Sequence, residues 1–342
     1  MRSALAAVIL ALSSPASAVV SQVGTASAEF LRIGAGARAL GMGEAFSAVA
    51  EGPEAAYWNP AGLAHSKRLE FSYARAELPA GLHHDFGAIS APVPLLHGTF
   101  AFAFTRLSGD KLAMTDASNR QRGTFAPHSE VFSFAYGREL ADDDSFGDAR
   151  DYFRENWNVP RADRPFIDER EPWTGRIAGG LAIKVLQENL GTRKASGVAF
   201  DGGGTFRPVD LHELILAGAF RHVGPGLKFI SESAPLPSEA AFSAAYDLRA
   251  DGWRLLPAIE VDAPYAGQFY GKFGVEGSHQ VARGAWASLR LGYNSRTTLD
   301  LGPLSGLTAG TGVRVGGFSF DAAFQPMGLL GSAMRIAVGW RF

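Results

Sequence analysis

From residue 69 to the C-terminus, bulky apolar side chains alternate with small or polar ones. The last segment is the clearest: Met334, Ile336, Val338, Trp340 and Phe342 alternate with Arg335, Ala337, Gly339 and Arg341. Alternate residues of a strand share a face, so one face here is wholly apolar and the other small or polar. Phe100, Phe102 and Phe104 stand against Thr99, Ala101, Ala103 and Thr105 in the same way. So do Ile177, Leu181, Ile183 and Val185 against Ala178, Gly180, Ala182 and Lys184. Leu214, Leu216 and Phe220 oppose Ala217, Ala219 and Arg221, and Phe318, Phe320 and Phe324 oppose Ser319, Asp321 and Ala323. The pattern predicts about fourteen strands, near 69–78, 83–93, 98–108, 130–140, 176–189, 195–208, 212–223, 238–249, 254–264, 270–281, 285–295, 306–316, 317–325 and 334–342.

A soluble sandwich or small barrel buries its apolar face, whereas a membrane barrel turns it to lipid. Three features favour lipid. The opposite faces offer mostly Ala, Gly, Ser and Thr, too little bulk for a shared core. An even strand count within roughly 8 to 26 suits a single-chain membrane barrel. Phe342 ends the chain on an alternating strand, and with Trp340 it resembles the C-terminal signal read by the outer-membrane assembly machinery. In hydrocarbon an unpaired sheet edge costs several kcal/mol per group, so the sheet must close. The expected fold is all-β, a transmembrane antiparallel outer-membrane barrel of about fourteen strands with an N-terminal plug.

The first residues have the layout of a secretory signal: Arg2, an apolar core from Ala4 to Leu12, and a cleavage site at Ala16-Ser17-Ala18. The expected divisions are 1–18 signal peptide, 19–66 plug or hatch, and 67–342 barrel with a charged insertion at 141–175. That insertion carries Asp142, Asp143, Asp144, Asp148, Asp151 and Glu155, and the aromatics Phe153, Trp157, Phe166 and Trp173. It falls on the predicted periplasmic side, where turns should be short. A solvated insertion and a docking arm both fit it. Charged residues are 19% of the chain, below the roughly 25% usual in soluble domains. A formal net charge of −2 without any basic block argues against nucleic acid. With no cysteine there is neither a disulfide framework nor a thiolate site.

Residues 30–64 break the alternation, being rich in Gly and Ala with scattered charges. Their glycines, at 34, 36, 41 and 43, miss the spacing of a dinucleotide loop, since Ala39 and Phe46 stand where glycine is needed. Small residues there suit close backbone packing against a wall. In Tyr57-Trp58-Asn59-Pro60-Ala61-Gly62-Leu63, Pro60 fixes φ, Gly62 permits a positive φ and Trp58 is a bulky anchor.

Arg38-Ala39-Leu40-Gly41-Met42-Gly43, running on to Ala50, and Tyr57 to Ala64 resemble the N-terminal signature of PorV/PorQ-type outer-membrane proteins, within the FadL-like fourteen-stranded barrels. Further likenesses are Ala195 to Asp201, Val223 to Phe229 with Pro235-Leu236-Pro237, Leu291-Gly292-Tyr293 and Leu304 to Gly310. Asp321-Ala322-Ala323-Phe324 resembles the family's Asp-Tyr-Ala-Phe, with Ala322 departing at the aromatic, and the 141–175 insertion is a larger departure. The resemblance implies a hatch motif at Arg38, Gly41, Met42, Gly43, Tyr57, Trp58, Asn59, Pro60 and Gly62. It also implies partnership with a secretion barrel or its cargo, in the manner of type IX secretion. The alternatives are FadL-like passage of fatty acids or other hydrophobic molecules, and a purely structural membrane role.

Lys184, Arg221, Arg290, Asp321 and Arg335, with Arg341, are the expected lumenal charges. They could pair with Glu44, Glu51 or Glu54 of the plug, or meet an anionic head group. No G-x-S-x-G or H-E-x-x-H spacing occurs, and the eight histidines form no cluster, His83-His84 being the only adjacent pair. No enzyme, cofactor or metal is expected. The expected partners are outer-membrane lipid and the assembly machinery, with the secretion or small-molecule partners above.

Overall fold

A computed structural model of the chain describes residues 26–342 except 116–117, 119, 143–174, 190–192, 209–210 and 230–231. The expected signal peptide and most of the 141–175 insertion therefore lie outside the described residues. The wall is a closed antiparallel barrel of 14 strands. In chain order they are β1 (Glu70–Leu78), β2 (Leu82–Val93), β3 (Gly98–Gly109), β4 (His128–Asp142), β5 (Gly175–Asn189), β6 (Lys194–Phe206) and β7 (Leu214–Val223). There follow β8 (Glu239–Tyr246), β9 (Trp253–Pro264), β10 (Tyr270–Ala282), β11 (Ala285–Asn294), β12 (Leu307–Val315), β13 (Phe318–Pro326) and β14 (Ser332–Arg341). Each strand pairs with the next, and β14 closes on β1 with Glu70 opposite Arg341 and Tyr73 opposite Val338. No described helix is long and apolar enough to cross a membrane.

The alternation falls as the hydrophobic pattern requires. Met334, Ile336, Val338, Trp340 and Phe342 are exposed on the outside, while Ala333, Arg335 and Ala337 are buried within. Phe102 packs beside Phe134 on the outer face, ring centroids 5.2 Å apart, and both remain exposed. Outward Leu181, Phe242, Ile259, Leu289 and Phe320 continue the apolar belt. Such a continuous apolar exterior on a closed ring of paired strands is what a hydrocarbon solvent selects.

Turns at one end are short, as at 94–97, 283–284 and 316–317; at the other end the connections 110–127, 224–238 and 295–306 are long. The first two of these long connections contain small hairpins (Leu112–Thr115 with Gln121–Phe125, and Leu227–Phe229 with Glu232–Ala234) that the alternation did not predict. Asp142 and Gly175, the feet of the charged insertion, pair at the short-turn end.

Residues 26–66 lie inside this wall. Two short helices, Ala37–Gly41 and Ala55–Trp58, and a 3₁₀ turn, Pro60–His65, are buried against wall alanines such as Ala74, Ala88, Ala103, Ala135, Ala182 and Ala337. Small side chains on the inner face thus leave the volume that the segment occupies, and Phe46, Trp58, Met42 and Leu63 fill it.

A charge on the lipid face tests the orientation of the wall. Phe102→Arg, in the middle of β3, should cost about 2–4 kcal/mol of folding stability in a bilayer. Denaturant titration in vesicles measures it, and a negligible loss would contradict lipid contact at this position.

Candidate functional site

Two charge networks join the N-terminal segment to the wall. In the first, Arg38 makes a two-pronged bond to Glu276 of β10, Nε to Oε2 at 2.8 Å and Nη2 to Oε1 at 2.9 Å. Its third nitrogen donates to Glu51 at 3.0 Å. Arg290 of β11 continues the chain, donating to Glu276 at 2.6 Å and to Asp321 at 2.7 Å. Guanidinium and carboxylate forks match geometrically, and each buried charge is neutralised by a partner. Burial alone would raise the Glu51 carboxyl, but Arg38, with Arg341 behind it, holds it down at about 2. At Glu54 burial, with the charge of Asp321, outweighs Arg38 and the Ser72 hydroxyl and pushes the carboxyl up to about 7.

The second network centres on Arg221 of β7. It donates to Glu239 at 2.9 Å and binds Asp262 closely, while Lys272 bonds Glu260 at 3.0 Å and Asp262 at 2.9 Å. The wall charges also reach the segment's backbone. Glu260 accepts the N–H groups of Phe46 and Ser47, at 3.1 and 2.8 Å, and Arg221 donates to the Ser47 hydroxyl at 3.2 Å. Both Arg221 and Lys272 lie over the Trp58 ring, 5.4 Å from its centroid, where the indole face attracts cations.

The Tyr57–Gly62 turn is pinned by its own side chains. Tyr57 donates to the Leu31 carbonyl at 2.7 Å and Trp58 to that of Ala35 at 2.9 Å. Asn59 caps the following turn by accepting the Ala61 N–H, and its amide donates to Ser47 O at 3.0 Å and Gly204 O of β6 at 3.3 Å. Gly62 needs a correction: its φ is not positive, and glycine is required because a Cβ would strike the Ala50 carbonyl. Gly43 does have a positive φ, 62°, and meets wall Gly292 so closely that neither position admits a Cβ.

Beside this turn the wall pairing lapses. Phe200 pairs with Val223 but Gly202 pairs with Phe220, so two residues of β7, Arg221 and His222, face the single Asp201 of β6. His222 takes up the bulge with φ 59° and donates its N–H to Asp201 at 2.8 Å. Lys184 of β5 bonds Asp201 and stands 3.2 Å from His222 Nδ1. Beyond Phe200, β6 runs on from Lys194 to Ala199 past the end of β7 at Val223, and there Leu227 of the following connection packs over Gly197 instead of a partner strand. At that level an apolar cluster joins Phe30 and Leu31 to Val131, Leu186, Ala199, Leu227 and Leu236.

The expected lumenal charges do face inward, but most are spent within the wall. Lys184 pairs across strands rather than with the segment, and Arg335 donates to the Gly36 carbonyl at 3.1 Å. Of the three glutamates expected to pair with them, only Glu51 does, with Arg341 at 3.8 Å. Glu44 instead accepts from Asn294 and Glu54 from Ser72. The wall acids Asp201, Glu239, Glu260, Asp262 and Glu276, and Lys272, went unnoticed in the sequence. A signal was present: Glu260 and Asp262 sit two apart in an otherwise apolar strand, hence on one face. His83 and His84 point to opposite faces of β2, His83 toward Glu77 at 2.6 Å and His84 buried, so they form no joint site. Trp340 stacks outside between Phe318 and Phe342, centroids 4.8 and 4.3 Å away.

A cavity of about 530 Å³ opens at the short-turn end, floored by Arg38 and Glu51 and walled by β9 to β14. Its arginines and serines make it a polar space.

No protein-family model and no curated protein matches this chain. Solved structures do. The toluene transporter TodX of Pseudomonas putida superposes with a TM-score of 0.52 at 11% identity, over 90% of this chain and 96% of that one. The toluene transporter TbuX of Ralstonia pickettii gives 0.52 and 11% identity, over 90% and 98%. At such identities the likeness is one of fold alone: a closed fourteen-stranded barrel like those of the two toluene transporters.

Proposed function

We propose that this chain is a non-enzymatic outer-membrane channel for small hydrophobic molecules, with residues 26–66 as its hatch. The observation that carries the reading is the lapse of wall pairing between β6 and β7 beside the apolar cluster of Phe30, Leu31, Leu186 and Leu227. An apolar solute can be held at such a cluster. It cannot continue straight along the lumen, because the two charge networks and the packed segment lie below, and passing them means stripping water from ions. The unpaired stretch of wall offers the cheaper way, sideways into lipid. Asn59 joins the segment to β6 at Gly204, so a shift of the hatch is felt at the seam. The transporters of like fold are named for toluene, which supports the same class of solute here.

In this reading the short-turn end is periplasmic, the leader at 1–18 is removed on export, and Trp340 and Phe342 serve as the assembly signal. The secretion-partner role implied by the PorV/PorQ likeness rests on the motif residues. These are Arg38, Gly41, Met42, Gly43, Tyr57, Trp58, Asn59, Pro60 and Gly62; Arg38, Gly43, Trp58 and Asn59 make the wall contacts described above, and those contacts serve a channel equally well.

Since the chain lacks cysteine, the seam can be stapled cleanly. Phe200 and Val223 are directly opposed on β6 and β7 at the edge of the seam, and both are exposed on the outer face. Cells expressing the protein should take up labelled toluene faster than cells without it. The Phe200→Cys/Val223→Cys disulfide should abolish the gain, and reductant should restore it. Full uptake through the oxidised double variant would sink the lateral route.

The hatch assignment has its own test. Arg38→Ala leaves Glu51 short of a partner and should cost about 3–5 kcal/mol where the pair is buried. Swelling of liposomes in small sugars should then speed up several-fold; an unchanged rate in folded barrels would argue that the segment does not seal the lumen.

A further inference from the structure

The cavity at the short-turn end lies apart from the seam, and its charges do not balance. Arg38 and Arg290 are held by Glu276, Glu51 and Asp321, and Arg341 by Glu70 at 2.9 Å. Arg249 and Arg254 share Asp247. Arg314 of β12 lines the same cavity, and no described hydrogen bond or ion pair engages it. The lining acids Glu51, Glu276 and Asp321 are already committed to other arginines, leaving only Asp251, on the β8–β9 turn.

Directly across the β11–β12 ladder from Arg314 stands Trp286. It shares the inner face with buried Arg290, four residues on, and also lines the cavity. Opposed residues place their Cβ atoms about 4.5–5.5 Å apart, so one small molecule can touch both side chains. Ser278 and Ser288, hydrogen-bonded to each other at 2.8 Å, and Ser319 add hydroxyls beside them. A volume of about 530 Å³ is ample for a single-ring ligand.

We infer that this cavity binds a small aromatic carboxylate, the carboxylate forked on Arg314 and the ring against Trp286. A guanidinium presents two parallel N–H donors that match a carboxylate, and an indole offers a flat apolar face. This ligand differs in kind from the neutral solutes of the seam, so the inference does not rest on that route.

Calorimetry on the full chain in detergent tests it, with benzoate as the probe and benzyl alcohol and acetate as controls. Benzoate should bind saturably, one to one, while benzyl alcohol, which lacks the charge, and acetate, which lacks the ring, should bind far more weakly. Arg314→Gln should weaken benzoate binding about tenfold, and Arg314→Lys, which keeps charge but loses the fork, by less. Trp286→Ala should also weaken benzoate while leaving acetate unaffected. Absence of saturable benzoate binding, or equal binding by wild type and Arg314→Gln, would overturn the inference. So would acetate binding as tightly as benzoate. Toluene uptake should be the same in Arg314→Gln as in wild type, which separates failure here from failure of the channel reading. If Arg314→Gln does not fold, Trp286→Ala reports on the same site.

Discussion

Closure of the sheet between β1 and β14 is the constraint from which the rest follows. In hydrocarbon no water can satisfy a free strand edge, so the first and last strands must find each other. Glu70 opposite Arg341 begins that ladder, reinforced by their ion pair at 2.9 Å and by the Phe342 N–H donating to Leu69 O. Once the sheet is a cylinder, every second residue is committed to lipid and every other one to the lumen. The outside then has to be apolar. The inside has to be either wet or filled.

This chain fills much of it, and does so with a segment that carries its own backbone donors and acceptors. Short helices and turns leave many such groups unpaired, which explains why so many wall charges end on main-chain atoms. Glu260 receives two N–H groups, Arg335 caps Gly36 O, and Thr308 bridges Gly43 N and Gly41 O. The charged side chains inside the barrel are thus better understood as polar mortar than as a ligand-binding display. Arg314 is the exception, being left over among the described residues after the others are paired.

The strands were legible because period-two alternation is repeated along the chain and one face is uniformly apolar. Boundaries such as 98–108 for Gly98–Gly109 and 285–295 for Ala285–Asn294 came out close, since the alternation runs to the ends of those strands. What alternation conveys poorly is partnership. Lys184 was recognisable as lumenal, but its pairing with Asp201 depends on register across two strands. The hairpin from Leu112 to Phe125 sits in a connection where no buried face enforces a pattern, so it left no trace. Gly62 shows another limit: glycine marks a special backbone site, yet whether φ or crowding demands it depends on Ala50, twelve residues earlier. The His222 bulge is invisible for the same reason, because an extra residue in β7 is defined only against β6.

Only three residues, Lys67, Arg68 and Leu69, lie between Ser66 and the first wall strand. The internal segment is therefore tethered at the very joint where the cylinder zips shut. Three residues span at most about 11 Å, so the segment's last turn cannot move further than that from the β1–β14 closure. The cork is leashed to the stave that seals the cask.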